Sequence, residues 1–419
     1  MHLLIVNQYG LPSGVPGITR HGDLGAHLVR RGHEVTVIAS RFNYLTRASS
    51  SGDPTENHAG VTFRWLDTGA YRTNDRQRLR SMLSFTVRSI VAGLSLRRRP
   101  DVVLASSPHL LAGVSGAVLA RRYRVPLVFE VRDLWPSVLV DLGAVRAGSR
   151  VQWMLERLER WCYARADRII TVPPHADRRV AEVGEDATKC VHIPNATTFR
   201  FDATPADDRS GSELPPSLAG IFDRARGRDV LLYAGAQGVS NGLHVLLDAM
   251  DLLRSTDPAT YECTAVVLVG DGGQHAELVR DAAARGHEQV FFHPPIEKAA
   301  VPAALERASF LLVSFADAPT YGYGLSPNKL FDYMAAGKPV LLASRLTDTA
   351  VDEADAGRRY DPGSAESLAD GIRALVGTST DERRAMGLRG RALVRERYTI
   401  EATGDRLDEL LRDVVRSPG

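Results

Sequence analysis

At 419 residues the chain is too long for one ordinary hydrophobic core, so two domains are expected. Its 44% hydrophobic and 24% charged residues are typical of a water-soluble globular protein, and a formal net charge of +2 gives no general case for nucleic-acid binding. The three cysteines are far apart and form no C-x-x-C pair, which argues against a disulfide framework and a zinc site and fits a reducing cytoplasm.

The first half of the chain alternates short apolar runs with helical patterns. A strand at 3–7 leads into a loop with Gly10, Gly14 and Gly17, and a helix is expected over 19–31. Further strands are predicted at 35–39, 61–65, 102–105, 127–131, 169–172 and 191–193, and further helices at 75–96, 110–123 and 151–165. Strands that alternate with helices indicate a parallel sheet covered on both faces.

No targeting or membrane-spanning segment is evident in the sequence. Residues 1–7 run directly into the first predicted strand without a basic leader or a cleavage site. The uncharged stretch 102–120 approaches membrane-spanning length, but Ser106, Ser107 and Pro108 interrupt it. A buried strand, a loop and an apolar helix explain this stretch better.

The second half of the chain repeats the alternation after a change in composition. Between 195 and 228 Asp, Ser, Pro and Gly become frequent and the periodicity fades, which predicts a linker region at 196–228. Strands then follow at 230–233, 265–269, 290–292, 310–313 and 340–343, with a helix at 243–253. The tail at 381–415 is expected to form two helices that separate near Tyr398 and Thr399.

These patterns predict an α/β fold of two Rossmann-like, doubly wound parallel-sheet domains that face each other across a cleft. The domains are placed at 1–195 and 229–395, and a C-terminal helix within 396–419 is expected to pack back on the first domain. Ligands of such sheets bind beyond the carboxyl ends of the strands.

Each predicted domain opens with a strand and a glycine-bearing loop before a helix. In the second domain this loop carries Gly235 and Gly238, and Gly270 begins a Gly-Asp-Gly-Gly turn after the next strand. Such loops let backbone amides approach a phosphate, although glycine turns of purely structural origin are common. The first loop lacks the Gly-x-Gly-x-x-Gly spacing, and Arg41 follows the second strand where NAD-binding proteins carry an acidic residue, so a dehydrogenase is disfavoured.

Metal-binding motifs are missing from the sequence. It contains no His-Glu-x-x-His, no EF-hand loop and no two aspartates separated by one residue, so no metal ion or cofactor is predicted. A diphosphate leaving from such a site would be stabilised by helix N-termini and basic residues instead.

The stretch 326–343 predicts a short helix that leads into a buried strand. Ser326 is a suitable N-cap, Pro327 suits the first helical position, and Gly337 suits the left-handed residue past the helix end. Lys329 lies in the first turn, where the helix dipole disfavours a cation unless an anion docks there. Asp332 could accept hydrogen bonds from hydroxyl groups; the alternative is a local surface pair with Lys329.

Several further residues allow two interpretations. Arg132 and Asp133 close a predicted strand, where they either act in catalysis and acceptor binding or form an ion pair that fixes the loop. His109 is interpreted as a helix cap, and Glu297 as part of a solvated first turn. A basic segment from Arg76 to residue 99, interleaved with apolar residues, is either the solvated face of a core helix or an attachment to an anionic membrane.

Five motifs in order along the chain resemble those of the retaining glycosyltransferases of family 4, which have the two-domain GT-B fold. They are Arg31-Gly32-His33-Glu34-Val35-Thr36-Val37, Glu130-Val131-Arg132-Asp133-Leu134-Trp135-Pro136, Ile193-Pro194-Asn195, Val269-Gly270-Asp271-Gly272 and the stretch from Pro327 to Val340. The second motif looks like that of a bacterial subgroup that includes fucosamine transferases of surface-polysaccharide assembly.

The resemblance implies a metal-independent transfer, with retention of configuration, from a nucleotide-diphosphate-sugar donor bound mainly by the second domain. Lys329 would face the phosphates, Asp332 the ribose, and Ile296 with Glu297 the base, while the acceptor would bind mainly the first domain. The donor-binding candidates are Gly14, Gly17, Gly235, Gly238, Gly270, Ile296, Glu297, Asn328, Lys329 and Asp332, and the catalytic candidates are Arg132, Asp133 and Lys329.

The chain departs from the family pattern at four positions. Gly324 stands where many members have a sugar-contacting glutamate, and Ala236 and Asn241 replace the arginine and lysine of the glycine loop. Arg132 also stands where many relatives have a histidine, and more weight therefore falls on Lys329.

The leading hypothesis is a glycosyltransferase of surface polysaccharide or glycoconjugate assembly, acting on a glycan, lipid-linked or small-molecule acceptor. It would be cytoplasmic, with peripheral attachment to the inner face of the plasma membrane as an option, and no nucleic-acid partner is expected. The alternatives are a catalytically silent partner subunit of the same fold and a sugar-nucleotide epimerase. The nucleotide, the sugar and the oligomeric state are left open.

Overall fold

The structure is a computed structural model that describes residues 1–15, 17–43, 46–50, 52–71, 76–199, 201 and 213–416. The chain divides into two compact units, of which the first comprises Met1–Ala196 and Ile400–Gly419 and the second Thr197–Thr399. Both units are parallel-sheet α/β structures, and this confirms the predicted fold class.

The first unit is built on an eight-stranded sheet. Its strands and the adjoining small hairpin are β1 His2–Val6, β2 Glu34–Ser40, β3 Phe42–Asn43, β4 Ala48–Ser49, β5 Thr55–His58, β6 Val61–Leu66, β7 Val102–Ser106, β8 Leu127–Val131, β9 Arg168–Thr171 and β10 Cys190–His192. The sheet order is β10-β9-β8-β7-β1-β2-β6-β5, with only β5 antiparallel, while β3 and β4 pair separately. The central strands are continuous apolar runs because both of their faces are buried.

Helices cover both faces of this sheet. They are α1 Arg20–Arg30, α2 Arg76–Leu94, α3 Leu111–Tyr123, α4 Ser137–Asp141, α5 Arg150–Arg165 and α6 Ala176–Glu182. Because crossovers between parallel strands are right-handed, α1 lies on one face and α2, α3 and α5 lie on the other. Within that second layer α2 packs against α3, and α3 packs against α5.

The second unit contains a six-stranded, fully parallel sheet in the order β13-β12-β11-β14-β15-β16. The strands are β11 Asp229–Ala234, β12 Thr264–Val269, β13 Val290–His293, β14 Phe310–Val313, β15 Val340–Ala343 and β16 Gly357–Tyr360. The helices are α7 Pro216–Arg224, α8 His244–Thr256, α9 Pro258–Cys263, α10 His275–Ala284, α11 Val301–Glu306, α12 Asn328–Ala335, α13 Ala350–Glu353, α14 Ala365–Val376 and α15 Thr380–Arg397. Separate apolar cores lie on the two faces, and the strand order reverses between β11 and β14.

The predicted linker at 196–228 is too long. Helix α7 lies within it, and its Leu218 and Phe222 are buried in a core of the second unit. Polar and glycine residues around α7 hid this short apolar pattern in the sequence. Residues 200 and 202–212 of the predicted linker, like Asp75 at the start of a predicted helix, lie outside the described residues.

The last helix, α16 Ile400–Arg416, belongs to the first unit. It packs against α1, and its Leu407 and Leu411 join the core around β1 and β2. Two hydrogen bonds fix the contact, from His27 Nε2 to Asp405 Oδ1 and from His33 Nε2 to Asp408 Oδ1, each 2.7 Å long. No helix of the described chain is long and apolar enough to cross a lipid bilayer.

Candidate functional site

Helix α12 of the second unit begins one residue later than the sequence predicts. Pro327 has extended backbone angles (φ −74°, ψ 140°) and is itself the N-cap, so the prediction that Ser326 caps the helix and Pro327 starts it is wrong. The proline ring fixes φ but leaves ψ free, and proline therefore also suits the extended residue before a helix. Gly337, just past the helix end, has the predicted positive φ of 72°.

Lys329, in the first turn of α12, reaches the loop after β11. Its Nζ donates to Tyr233 Oη over 2.8 Å and lies 4.1 Å from the centroid of that ring, while Tyr233 Oη donates to the carbonyl oxygen of Ala236. Among the described residues no carboxylate lies within 4.0 Å of Nζ, and burial lowers the pKa of Lys329 to about 7. The ammonium group therefore keeps two donors for a further acceptor.

Tyr333 fixes the same helix to the same strand one turn later. Its Oη accepts from the backbone N–H of Ala234 over 2.8 Å and donates to the carbonyl oxygen of Ala234 over 3.1 Å. Lys329 and Tyr333 share a helix face because they are four residues apart. Sequence reasoning missed Tyr233 and Tyr333. The four-residue spacing of Lys329 and Tyr333 was a signal that could have identified Tyr333.

Two glycines that were predicted to bind the donor, Gly235 and Gly270, pack against each other beside Lys329. A Cβ atom on Gly235 would lie 2.7 Å from Lys329 Nζ, and a Cβ atom on Gly270 would overlap the carbonyl oxygen of Gly235. Gly270 also has φ 141°, which side-chain-bearing residues rarely adopt. Gly238, in contrast, is extended (φ −107°) and makes no close approach, so nothing in its surroundings requires a glycine.

Gln237 ties the two glycine loops together, a role that sequence reasoning missed. Its buried side chain donates from Nε2 to the carbonyl oxygen of Gly270 over 3.2 Å, and Oε1 lies 2.7 Å from His275 Nδ1. The loops after β11 and β12 are thereby held at the carboxyl edge of the sheet, next to the point where the strand order reverses. That is where open α/β sheets bind ligands.

We expect Gly270→Ala to disrupt this site. The methyl group would overlap the Gly235 carbonyl oxygen, and alanine would be strained at this φ. The variant should therefore lose about 1–3 kcal/mol of unfolding free energy or more. Thermal unfolding and ligand titration would measure the change. Gly273→Ala is the matched control, because a Cβ atom there meets nothing within 4 Å, and equal behaviour of the two variants would contradict the prediction.

Asp332 bonds to Thr197. Its Oδ1 accepts from Thr197 Oγ1 over 2.6 Å, and burial raises the pKa of its carboxyl group. The alternative of a surface pair between Lys329 and Asp332 is therefore wrong: within the part of the chain that the structure describes, neither residue has the other as an ion-pair partner. Thr197, which sequence reasoning missed, is the residue that orients this carboxylate.

The remaining candidates of the second unit lie at the surface. Ile296 is half-buried against a core, Glu297 is exposed and precedes the 3₁₀ turn Lys298–Ala300, and Asn328 is exposed at the first position of α12. The solvated first turn predicted for Glu297 is confirmed.

In the first unit, a buried polar network lies at the carboxyl edge of the sheet. Glu130, in β8, accepts from Arg20 Nε (2.8 Å) and from Ser106 Oγ (2.6 Å), and its Oε2 lies 2.8 Å from His21 Nε2. Arg20 also donates to the carbonyl oxygens of Ile193 and Pro194. Burial opposes ionisation, but Arg20 and His21 hold the pKa of Glu130 well below its usual range. No role in such a network was predicted for Glu130, Arg20 or His21.

The predicted catalytic pair follows this network. The backbone N–H of Arg132 donates to Ser107 Oγ over 2.8 Å, and the side chain of Arg132 is half-buried while Asp133 is exposed. Gly14 and Gly17 lie in the loop after β1 of the same unit. The roles predicted for these four residues stay predictions.

His109 is not a helix cap. Leu110 precedes α3, and the imidazole of His109 is buried, with neither ring nitrogen hydrogen-bonded to any residue that the structure describes. Burial, together with the charge of Arg78, lowers the pKa of His109 to about 3. The ring instead packs edge-on against Tyr9 and Phe85.

No set of three or more His, Cys, Asp or Glu side chains in the described ranges is arranged to hold a metal ion.

Comparison with known proteins shows which family the chain belongs to. Residues 17–196 match a family model described as a glycosyl transferase 4-like domain, and residues 228–378 match the model of glycosyl transferases group 1. The chain belongs to the family 4 glycosyltransferases.

This glycosyltransferase is 26% identical over 369 residues to WcaI of Escherichia coli strain K12, named for colanic acid biosynthesis, with 84% of this chain and 86% of WcaI covered. Sucrose-phosphate synthase from Thermosynechococcus elongatus has a TM-score of 0.76 at 18% identity, and 99% of both chains is covered. HepE of Anabaena, solved with UDP-glucose, has a TM-score of 0.64 at 18% identity, with 99% of this chain and all of HepE covered. These likenesses show the GT-B fold.

Gly324 explains one departure of this glycosyltransferase from the family pattern. The residue closes the 3₁₀ turn Pro319–Tyr323 with φ 86° and ψ 165°, a conformation that is essentially restricted to glycine. A glutamate, which the family pattern described for the sequence would place at this position, would therefore be strained here.

Proposed function

We propose that this glycosyltransferase transfers a sugar from a nucleotide-diphosphate-sugar donor, with retention of configuration and without a metal ion. The observation that carries the proposal is Lys329, a cation with no carboxylate partner in the described chain, at the start of α12 beside Gly235 and Gly270. A diphosphate at this position would bind the free donors of Nζ and the first-turn amides of α12. HepE, which shares the fold, has been solved with UDP-glucose and supports this donor class.

In the proposed mechanism the second unit stabilises the leaving group. Lys329 and the amides of α12 balance the charge that grows on the diphosphate as the glycosidic bond breaks. Asp332, oriented by Thr197, accepts hydrogen bonds from the ribose hydroxyls. Ile296 and Glu297 contact the base. Arg132 and Asp133 of the first unit contact the sugar or the acceptor. No protein nucleophile is assigned: the acceptor hydroxyl attacks the anomeric carbon on the face from which the diphosphate leaves and passes its proton to a departing phosphate oxygen, and this retains the configuration.

The proposed pathway is the assembly of a surface polysaccharide or glycoconjugate on a carbohydrate, lipid-linked or small-molecule acceptor. The name of WcaI, a colanic acid biosynthesis glycosyl transferase, supports this choice. The proposed location is the cytoplasm, with peripheral attachment at the inner face of the plasma membrane. Three free cysteines, none in a disulfide, suit a reducing compartment.

A screen of UDP-, GDP- and dTDP-sugars by thermal shift, followed by transfer assays, tests the proposal. We expect one nucleotide class to raise the melting temperature and its sugar to appear in a product whose anomeric configuration, measured by NMR, matches the donor. Activity should persist in EDTA. Failure of every donor to bind would reject the proposal, and donor conversion without acceptor would indicate an epimerase.

A second candidate function is a catalytically silent partner subunit. The glycine-only backbone at Gly324, together with Ala236 and Asn241 in the glycine loop, favours it over the epimerase. It predicts nucleotide binding without transfer and a stable complex with another transferase. Turnover by the isolated protein would exclude it.

A further inference from the structure

Exposed large hydrophobic side chains are concentrated on one layer of the first unit. Of the thirteen in the described chain, nine lie on α2, α3 and α5, which pack side by side on one face of the sheet. The other four are Leu142, Val239, Val279 and Leu388. The outer face of the α2–α3–α5 layer is therefore unusual for a surface in water.

The pattern is most regular on α2, where the apolar residues form a stripe. Leu79, Leu83, Val87 and Val91 recur every four residues and are 49–63% exposed, while Met82 and Phe85 on the opposite side are buried. This helix thus has two apolar sides, one facing the sheet and one facing outward. A helix with apolar residues on both sides is expected to be covered on both sides.

The exposed charged side chains of these three helices all have one sign, although Arg160 of α5 pairs with Glu185 of a neighbouring segment over 2.9 Å. The exposed charged residues of α2, α3 and α5 are nine arginines, and no aspartate or glutamate of these described helices is exposed. Arg76 and Arg80 lie on the same side of α2 as the apolar stripe. For a chain of net charge +2, this is a strongly uneven distribution.

Trp153 extends the face onto α5. The ring is 59% exposed beside Met154, which is 63% exposed, and the guanidinium of Arg157 lies 5.0 Å from the ring centroid. An exposed tryptophan beside an arginine offers an apolar ring and a cationic group to the same ligand. This combination is found at membrane interfaces.

We infer that the outer face of the α2–α3–α5 layer docks on an anionic lipid bilayer. The arginines would bind lipid phosphates, and the Leu and Val side chains of α2 with Trp153 and Met154 would enter the boundary between headgroups and acyl chains. A second copy of the chain fits less well, because a two-fold dimer would place this cationic face against itself. The inference rests on the proposed peripheral attachment and assigns a surface to it, but it does not depend on which donor or acceptor is used.

Vesicle flotation of the full-length protein tests the inference. We expect binding to vesicles that contain phosphatidylglycerol, weak binding to phosphatidylcholine alone, and a blue shift of tryptophan emission with the anionic vesicles. The variant Leu83→Glu/Val87→Glu should bind at least about tenfold more weakly, since it places two carboxylates in the interface. The arginine variant Arg80→Glu/Arg88→Glu should lose the preference for anionic lipid.

The matched control is Val279→Glu/Leu388→Glu, which changes two exposed apolar residues of the second unit and should bind vesicles like the wild type. Unchanged melting temperatures would show that all variants fold. Equal binding by the stripe variant and the control would overturn the inference, as would absence of binding to anionic vesicles. Dimerisation without lipid that the stripe variant abolishes would assign the face to self-association instead.

Discussion

Replacement of Lys329 by methionine is expected to weaken the binding of a nucleoside diphosphate by about 100-fold or more. Methionine keeps most of the aliphatic stem but removes the ammonium group that lies 2.8 Å from Tyr233 Oη. Tyr233 would still donate to the Ala236 carbonyl oxygen, so the loop should keep its conformation. Isothermal titration calorimetry with UDP, GDP and dTDP measures the effect.

Lys338→Met provides the control for this substitution. Lys338 follows α12, is half-buried and donates to the carbonyl oxygen of Glu306, away from the glycine loops. Its removal should leave the dissociation constant unchanged. If Lys329→Met bound the nucleotide as tightly as Lys338→Met, the assignment of Lys329 to the diphosphate would be wrong.

The pKa of Lys329, lowered to about 7 by burial, makes the same interaction depend on pH. Below pH 7 the ammonium is charged in the free protein and binding needs no proton. A bound diphosphate favours the charged form and raises the pKa, so above pH 7 binding takes up a proton and the affinity falls by up to about tenfold per pH unit. Calorimetry in buffers of different ionisation enthalpy would detect the proton uptake, which Lys329→Met should abolish.

The second large effect is expected at Glu130. Glu130→Gln removes the negative charge from a buried network and leaves Arg20 without an anionic partner there, which should cost about 3–5 kcal/mol of unfolding free energy. All four tryptophans, Trp65, Trp135, Trp153 and Trp161, lie in the first unit. Tryptophan fluorescence during urea unfolding therefore reports on the unit that contains Glu130.

An exposed carboxylate serves as the reference. Glu401 lies 3.7 Å from Arg30 with both side chains more than 60% exposed, and Glu401→Gln should change the free energy by less than about 1 kcal/mol. Similar urea midpoints for the two variants would mean that the Glu130 network contributes no more than a surface pair. Arg20→Met should resemble Glu130→Gln, because it leaves the carboxylate without its arginine.

The sequence predicted strands best where both faces are buried. The bounds of β8 and β14 agree with the prediction because each is a continuous apolar run. The edge strands β5 (Thr-Glu-Asn-His) and β16 (Gly-Arg-Arg-Tyr) were missed, since an edge strand pairs on one side only and carries polar residues. Helix α7 was missed because its apolar pattern is short.

The candidate site was predictable only in part. Glycines at the ends of β11 and β12 and a lysine at a helix start are local signals, and the structure brings Gly235, Gly270 and Lys329 together. The partners Gln237 and Thr197 were missed, because they bond to groups that are distant in sequence. No periodicity or motif encodes such contacts.

The position of α16 has a consequence for how the protein is made. The second unit, Thr197–Thr399, is continuous in the chain, whereas the first unit needs both the opening 196 residues and the last helix. A ribosome therefore completes the second unit before the first. Until α16 is made, the apolar core that contains Leu24 and Leu28 of α1 lacks Leu407 and Leu411. Chaperones that bind exposed apolar surface would find it on the N-terminal part of the nascent chain until α16 has emerged from the ribosome.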